Sequence, residues 1–254
     1  MRLSASLFLL TLVLSFRPVA AETANIAVAA NFAAPARAIS AAFAGKTRLS
    51  IGATGQLFLQ ISQGAPYDVF LAADQARPAL AITDGLGISG TSFTYALGRL
   101  VLFSRDSKRV AGLESLRDHS LRKIAIANPA TAPYGAAAVD VLQALNVFEA
   151  LGPRIVQGKN VTQAYQFAAV GAADLAIVAA SLTVGRTKRG YTLLIPADMH
   201  RPIAQDAVLL RRGQDNAAAK AFLAFLKSPE ALAIMRRYKY DAPMNVSSAP
   251  KTDG

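Results

Sequence analysis

Short apolar runs separated by amphipathic stretches dominate the chain from residue 23 onward, and this alternation restricts its fold more than any other feature. The segments "NIAVAA", "RLSIGA", "DVFLAA", "RLVLFS", "KIAIAN" and "DLAIVAA" are of buried-strand type, and turn residues or charges bound most of them. Between them, apolar residues recur at helical spacing. Phe32, Ala36, Ile39 and Phe43 share one face, as do Ala138, Val141, Leu142 and Leu145. A strand followed by a helix and a further strand implies a parallel pair with the helix packed on the sheet. The expected fold class is α/β, with mostly parallel sheets flanked by helices on both faces.

The length is large for one such sheet and sits comfortably in two lobes. "GRLVLFS" near Leu100 and "IAQDAVLL" near Asp206 have no flexible Gly, Ser or Pro linker beside them, and fit paired crossover segments between lobes. On that basis residues 22–98 begin lobe one, 99–205 build lobe two, 206–247 return to lobe one, and 248–254 form a frayed tail. Ser228 as N-cap and Pro229 at the first helical position mark the start of the last helix.

Residues 1–21 read as a secretory signal peptide. Arg2 gives a cationic start, Leu7 to Phe16 an apolar run, and Val19 and Ala21 the small residues of a cleavage site after Ala21. That run is shorter than the about 20 residues of a membrane span, so an exported, soluble, periplasmic protein is expected. There is no cysteine, which excludes disulfides, thiolate metal sites, Cys nucleophiles and lipid attachment through an N-terminal Cys. Removing Arg2 and Arg17 from the net charge of +11 leaves +9. Its basic residues are scattered in ones and twos, as in "RRG", "TKRG" and "MRRYK", without interleaved aromatics. They read as a solvated surface that steers small anions, with no nucleic-acid partner.

Chemistry is expected where strands run into helices. "IAVAAN" passes through Asn31 into a helix and "LSIGAT" through Thr54 into "GQLFLQI". In the second half, "IANPATAPYG" carries Tyr134 into "AAAVDVLQAL", and "VQGKNV" carries Val161 into "TQAYQFAAV". A helix start exposes N–H groups that have no acceptor within the helix and carries partial positive charge. The crevice beyond the strand ends is where open α/β sheets bind ligands. Asn, Thr, Tyr and Val supply no carboxylate, so the four turns suit a dehydrated, fully ionised oxyanion that shares no proton with its site.

"AVAANFAAPARAI", "GATGQLFLQISQGAPYDVFLAADQ", "IANPATAPYGAAA", "GKNVTQAYQFAAVGAADLAIVAAS" and "FLAFLKSPEALAIMRRYKY" resemble, in order, segments of the periplasmic molybdate-binding proteins. Those are the solute receptors of molybdate ABC transporters and have the two-lobed type II periplasmic binding protein fold. The resemblance covers nearly all of the mature chain and is most specific in "QGAPYDVFLAADQ" and "NPATAPYG". It implies a non-enzymatic, monomeric receptor that closes on molybdate, and on tungstate, and delivers it to a membrane permease, with no cofactor. It places the anion near Ala30 and Asn31, at Thr54, at the backbone around Tyr134 and at the backbone of Val161, without direct metal-ion ligands. Asn31 and Thr54 stand where some members have serines, and Ala179 where some have a tyrosine. The resemblance lets the Tyr134 hydroxyl take over that contact.

Duller roles compete at each position. Asn31 and Thr54 are ordinary N-cap types, and Tyr134 after Pro133 suits a packed turn aromatic. Asp68 and Asp74 bracket "VFLAA" and are read as structural, Asp74 capping the next helix and Asp68 bonding local backbone. His119 and His200 are lone histidines without ligand spacing. Lys159 fails the phosphate-loop pattern, because the spacing from Gly152 is one residue too long and Asn160 stands at the Ser/Thr position. Two other functions remain open: a receptor for sulfate or another oxyanion, and a secreted hydrolase or transferase using the same cleft. Against the second, there is no "GxSxG" elbow and no Cys nucleophile.

Overall fold

The computed structural model describes residues 22–185 and 190–241. The expected signal peptide and tail, and most of the "TKRG" run, lie outside the described residues. The chain begins with β1 (Thr23–Ala29), α1 (Ala33–Ala42), β2 (Lys46–Gly52), α2 (Thr54–Ser62), β3 (Val69–Leu71), α3 (Ala76–Thr83) and β4 (Phe93–Gly98). It continues through β5 (Leu100–Ser104), β6 (Ile124–Ala127), α4 (Pro133–Ala144), α5 (Phe148–Leu151), β7 (Ile155–Gly158), α6 (Val161–Ala169), β8 (Leu175–Ala179) and β9 (Tyr191–Leu194). It ends with β10 (Ile203–Leu209), α7 (Ala217–Phe225) and α8 (Pro229–Arg237).

Two five-stranded sheets result, in the orders β2-β1-β3-β10-β4 and β7-β6-β8-β5-β9. Each has a parallel core of three strands, with β1 between β2 and β3 in one and β6 between β7 and β8 in the other. The remaining two strands of each sheet add in antiparallel fashion. The strand-helix rhythm accounts for the parallel cores. The antiparallel additions arise because β5 and β10 each enter from the other sheet, and such an entry is free of the right-handed crossover that keeps neighbouring strands parallel.

Period-2 alternation explains why the apolar runs are nearly continuous. In the first sheet Ile26, Val28, Val69 and Leu71 face a core with Phe32, Ile39, Phe222 and Ile234. Ala27, Phe70 and Val208 face the other side with Leu57 and Ile61. Both faces are covered by helices, so neither can be polar. In the second sheet Leu102, Ile124 and Ile177 pack with Ala138, Val141 and Leu142 of α4 and Tyr165 of α6.

The chain leaves the first sheet at Gly98 and enters the second at Leu100, and it re-enters the first at Ile203. The two crossings lie side by side, because β4 and β10 are antiparallel partners with Gly98 opposite Ile203. A register shift interrupts that pairing between Gln205 and Asp206.

Ser228 caps α8 by accepting from the Ala231 N–H at 3.2 Å. Asp74 accepts from the Arg77 N–H at 3.0 Å and so serves the start of α3, although Gln75 is its N-cap. Asp68 differs from the expected local role. Its carboxylate accepts from the Asn25 N–H at 2.7 Å, from Asn25 Nδ2 at 3.1 Å and from Asn216 Nδ2 at 3.2 Å. It ties β1 to the start of α7, partners that sequence spacing does not disclose. Asp68→Ala takes their acceptor from the Asn25 N–H and Nδ2 at a residue only 3% exposed, while Asn216 Nδ2 keeps Thr23 O at 3.1 Å. The expected cost is about 2–3 kcal/mol, checked by urea denaturation of the variant against the parent.

Candidate functional site

Parallel pairing sets the site, because strands that run side by side in one direction end at one edge. Ala29 lies opposite Gly52 where β1 and β2 finish, and Ala127 lies opposite Gly158 where β6 and β7 finish. After each end a helix begins. Residues Ala30–Phe32 form a 3-10 turn that leads into α1, and α2 starts at Thr54, α4 at Pro133 and α6 at Val161.

The two sheet edges face each other and touch. The Gly55 N–H in the first turn of α2 donates to Thr131 O at 2.8 Å. Thr162 Oγ1 donates to Ala30 O at 3.2 Å, and Arg77 Nη2 to Ala130 O at 3.3 Å. Ala30, Asn31, Thr54, Tyr134 and Val161 all line one cavity between the edges, together with Asn160. The cavity is small, about the space of one water molecule, so anything held there is stripped of its hydration shell. A larger cleft of ≈ 680 Å³ opens beside Arg99, Tyr191 and Lys239, but no α-helix begins among its lining residues.

The cavity is lined by donors. Among the described residues, no acceptor outside the helices is found for the N–H groups of Asn31, Thr54, Tyr134 or Val161, and first-turn N–H groups have none inside. Neighbouring donors are already used. Gly55 donates across the cleft, Gly135 N–H to Ala132 O at 2.8 Å, and Gln163 N–H to Asn160 Oδ1 at 3.0 Å. Asn160 is thus the N-cap of α6, a role the sequence pattern did not single out. The Thr54 hydroxyl accepts from the Ala73 N–H at 3.1 Å, which orients its oxygen and leaves its proton to donate. Among the described residues, no carboxylate, lysine or arginine lines the cavity.

Capping explains neither Asn31 nor Thr54. The N-cap of α2 is Ala53, Thr54 is its first helical residue, and neither the 3-10 turn nor α1 has a side-chain cap. Asn31 instead turns its amide away from the helix. Its Nδ2 donates to Gln205 Oε1 at 2.7 Å and to the Tyr240 hydroxyl at 2.9 Å. The Asn31 carbonyl accepts from Ser181 Oγ at 2.8 Å, with the Tyr240 hydroxyl 2.9 Å away. Only the Asn31 backbone therefore remains as a donor of the helix-start type. The Tyr134 hydroxyl also has another partner, accepting from Gln205 Nε2 at 3.3 Å.

Burial raises the phenol pKa of Tyr95 and Tyr134 well above its ordinary value, and raises that of Tyr240, so all three are neutral hydrogen-bonding groups. Gln205, Tyr240, Ser181 and Tyr95 were not legible as site neighbours. The one available signal was a glutamine in the apolar strand "IAQDAVLL", fully buried here. His119 is exposed and His200 half-buried, and no cluster of His, Cys, Asp or Glu suited to a metal ion occurs among the described residues.

Residues 24–241 match the family described as bacterial extracellular solute-binding protein. The chain is 48% identical over 227 residues to the molybdate-binding protein ModA of Rhodobacter capsulatus, covering 88% of this chain and 90% of that protein. Its structure resembles the periplasmic molybdate-binding protein of Azotobacter vinelandii with a TM-score of 0.83 and 34% identity, over 87% of this chain and 99% of that one. It also resembles the substrate-binding domain of a putative molybdenum ABC transporter from Clostridium difficile. There the TM-score is 0.68 and the identity 28%, over 87% of this chain and 99% of that one.

The close seat of α4 on the end of β6 is testable. A Cβ on Gly135 would overlap Ala127 O and come within 3.0 Å of the Asn128 carbonyl carbon. Both are backbone and cannot rotate away. Gly135→Ala should lower stability by about 1–3 kcal/mol, read as a fall in the thermal midpoint.

Proposed function

The chain belongs to the bacterial extracellular solute-binding proteins, and from that premise we propose that it captures molybdate between its two lobes and hands it to the permease of an ABC transporter. The observation that carries this reading is the convergence of four helix starts, two from each sheet, on one small cavity without a charged side chain. A tetrahedral dianion there is solvated by protein N–H groups in place of water. The donors are the backbone N–H groups of the Ala30–Asn31 turn, Thr54, Tyr134 and Val161, together with the Thr54 hydroxyl. Tungstate has the same charge and shape and should enter too. The protein works in the periplasm as a monomer, after removal of residues 1–21.

Lobe closure follows from where the donors come from. The first sheet's segment supplies the Ala30–Asn31 turn and Thr54, and the second sheet's supplies Tyr134 and Val161, so the shut form alone offers the full set. The anion binds that form best and shifts the population toward it. The bonds from Gly55 to Thr131, Thr162 to Ala30 and Arg77 to Ala130 seal the mouth once the lobes meet. A permease that docks both lobes then distinguishes loaded from empty receptor by shape.

Selectivity rests on what is missing from the walls. Hydrogen phosphate keeps a proton that needs an acceptor, and no carboxylate lines this cavity. Titration calorimetry on the mature protein should show molybdate and tungstate binding, with phosphate about 100-fold weaker or more. Thr54→Val keeps the shape, removes the hydroxyl donor and strands the Ala73 N–H, and should weaken molybdate about 10–100-fold. Thr54→Ser should restore most of that loss. Tight sulfate binding with no response to molybdate would replace the ligand in this reading.

A further inference from the structure

Behind the four helix starts lies a buried polar cluster that the capture of an anion does not by itself require. Gln205 is 0% exposed and sits on β10, the strand that brings the chain back into the first sheet. The register shift beside it is of the kind that re-aims a side chain. Its amide joins three parts of the molecule. Oε1 accepts from Asn31 Nδ2 at 2.7 Å and lies 3.1 Å from the Tyr95 hydroxyl, while Nε2 donates to the Tyr134 hydroxyl at 3.3 Å. Asn31 belongs to a binding turn of the first sheet, and Tyr134 to the start of α4 on the second.

A second bridge runs parallel to this one. Ser181, just past β8 of the second sheet, donates to the Asn31 carbonyl, and the Tyr240 hydroxyl lies 3.1 Å from Ser181 Oγ. The approach of Tyr134 also depends on Gly98, the last residue of β4. A Cβ there would overlap the Tyr134 hydroxyl and lie 2.9 Å from Gln205 Nε2. The crossing segments are thus shaped to let a tyrosine of one sheet meet a glutamine of the other.

We infer that Gln205 is a positioning residue for anion capture: it holds the Asn31 turn with its helix-start N–H aimed into the cavity, and it latches Tyr134 of the facing lobe in the shut form. Part of the closure free energy is then made by the protein itself, before any ligand enters. Replacing the amide by hydrocarbon leaves one Asn31 Nδ2 hydrogen without its acceptor and takes a partner from the Tyr134 hydroxyl, while Asn31 Nδ2 keeps Tyr240 and the Tyr95 hydroxyl keeps Ala72 O. The shut form loses more than the open form, where water reaches them. The inference takes its ligand from the function proposed above, but its conformational half does not need that ligand.

The test uses Gln205→Leu and Tyr134→Phe, the latter keeping the backbone N–H at the start of α4. By calorimetry, Gln205→Leu should bind molybdate about 10–100-fold more weakly than the parent, and the double variant should lose less than the product of the two single losses. The chain has no cysteine, so spin labels at Ser62→Cys and Gln143→Cys, exposed sites on α2 and α4, report the lobe separation cleanly. In ligand-free protein, Gln205→Leu and Tyr134→Phe should each shift that distance distribution away from the parent's. Parent-like affinity, losses that multiply, or an unchanged distribution would overturn the inference. Should Gln205→Leu fail to fold, Tyr134→Phe answers both measurements alone. Should the parent bind no molybdate, the proposed ligand falls while the label distances still decide the role of Gln205.

Discussion

The capture proposed for this molecule depends on unpaired backbone N–H groups at helix starts. A helix cannot satisfy its first N–H groups from within, and a parallel strand-helix unit delivers those groups to the edge where the strand ends. One such unit makes a weak anion site. Two adjacent parallel strands double it, as β1 with β2 and β6 with β7 do here. A second sheet facing the first doubles it again. The small residues that pervade these junctions follow from the same geometry. Ala29, Ala30, Ala53, Ala73 and Ala132 are all buried, and bulk at those places would hold the two edges apart.

Closure places a further demand on the fold, because two halves that each have a core must still meet through polar contacts. The crossings solve this by adjacency. With β4 and β10 paired side by side, the connection between the two sheets is a two-stranded ribbon and not a pair of loose linkers. The polar residues behind the cavity sit against that ribbon: Gln205 lies on β10 itself and accepts from Asn31 Nδ2. A buried amide flanked by neutral tyrosines is a costly thing to leave unpaired. That cost gives the shut arrangement a defined geometry and not merely proximity.

The parts legible in the sequence were those governed by local periodicity. Apolar runs at period 2 and faces at period 3.6 marked the strands and helices, and the junction residues Asn31, Thr54, Tyr134 and Val161 followed because a junction is itself local. What side chains do at those junctions is not local. Asn31 looks like a cap or a direct donor until its partners are known, and these stand 174 and 209 residues away, at Gln205 and Tyr240. Asp68 shows the same limit, with an acceptor role spread over Asn25 and Asn216. The antiparallel additions by β5 and β10 were also hidden, since strand direction after a crossing between sheets depends on the partner sheet and not on the intervening residues.

The absence of a cation from the cavity wall ties these features together. The chain carries a net charge of +11, yet among the described residues no lysine or arginine lines the cavity, and Arg77 spends its guanidinium on Asp74 and on Ala130 O. A lysine or arginine in the cavity would strengthen the attraction for any anion, whatever its protonation or shape. It would also leave a buried, unpaired charge whenever the lobes met without ligand, and that would oppose closure strongly. Neutral N–H donors carry only partial charge. They let the empty lobes come together at modest cost, and they favour an ion that can accept from every direction at once. On the same reading, long-range attraction is left to the scattered surface charges, which steer an anion by their summed field. On the proposed function, recognition is left to the cleft, where geometry and the lack of an acceptor decide what stays.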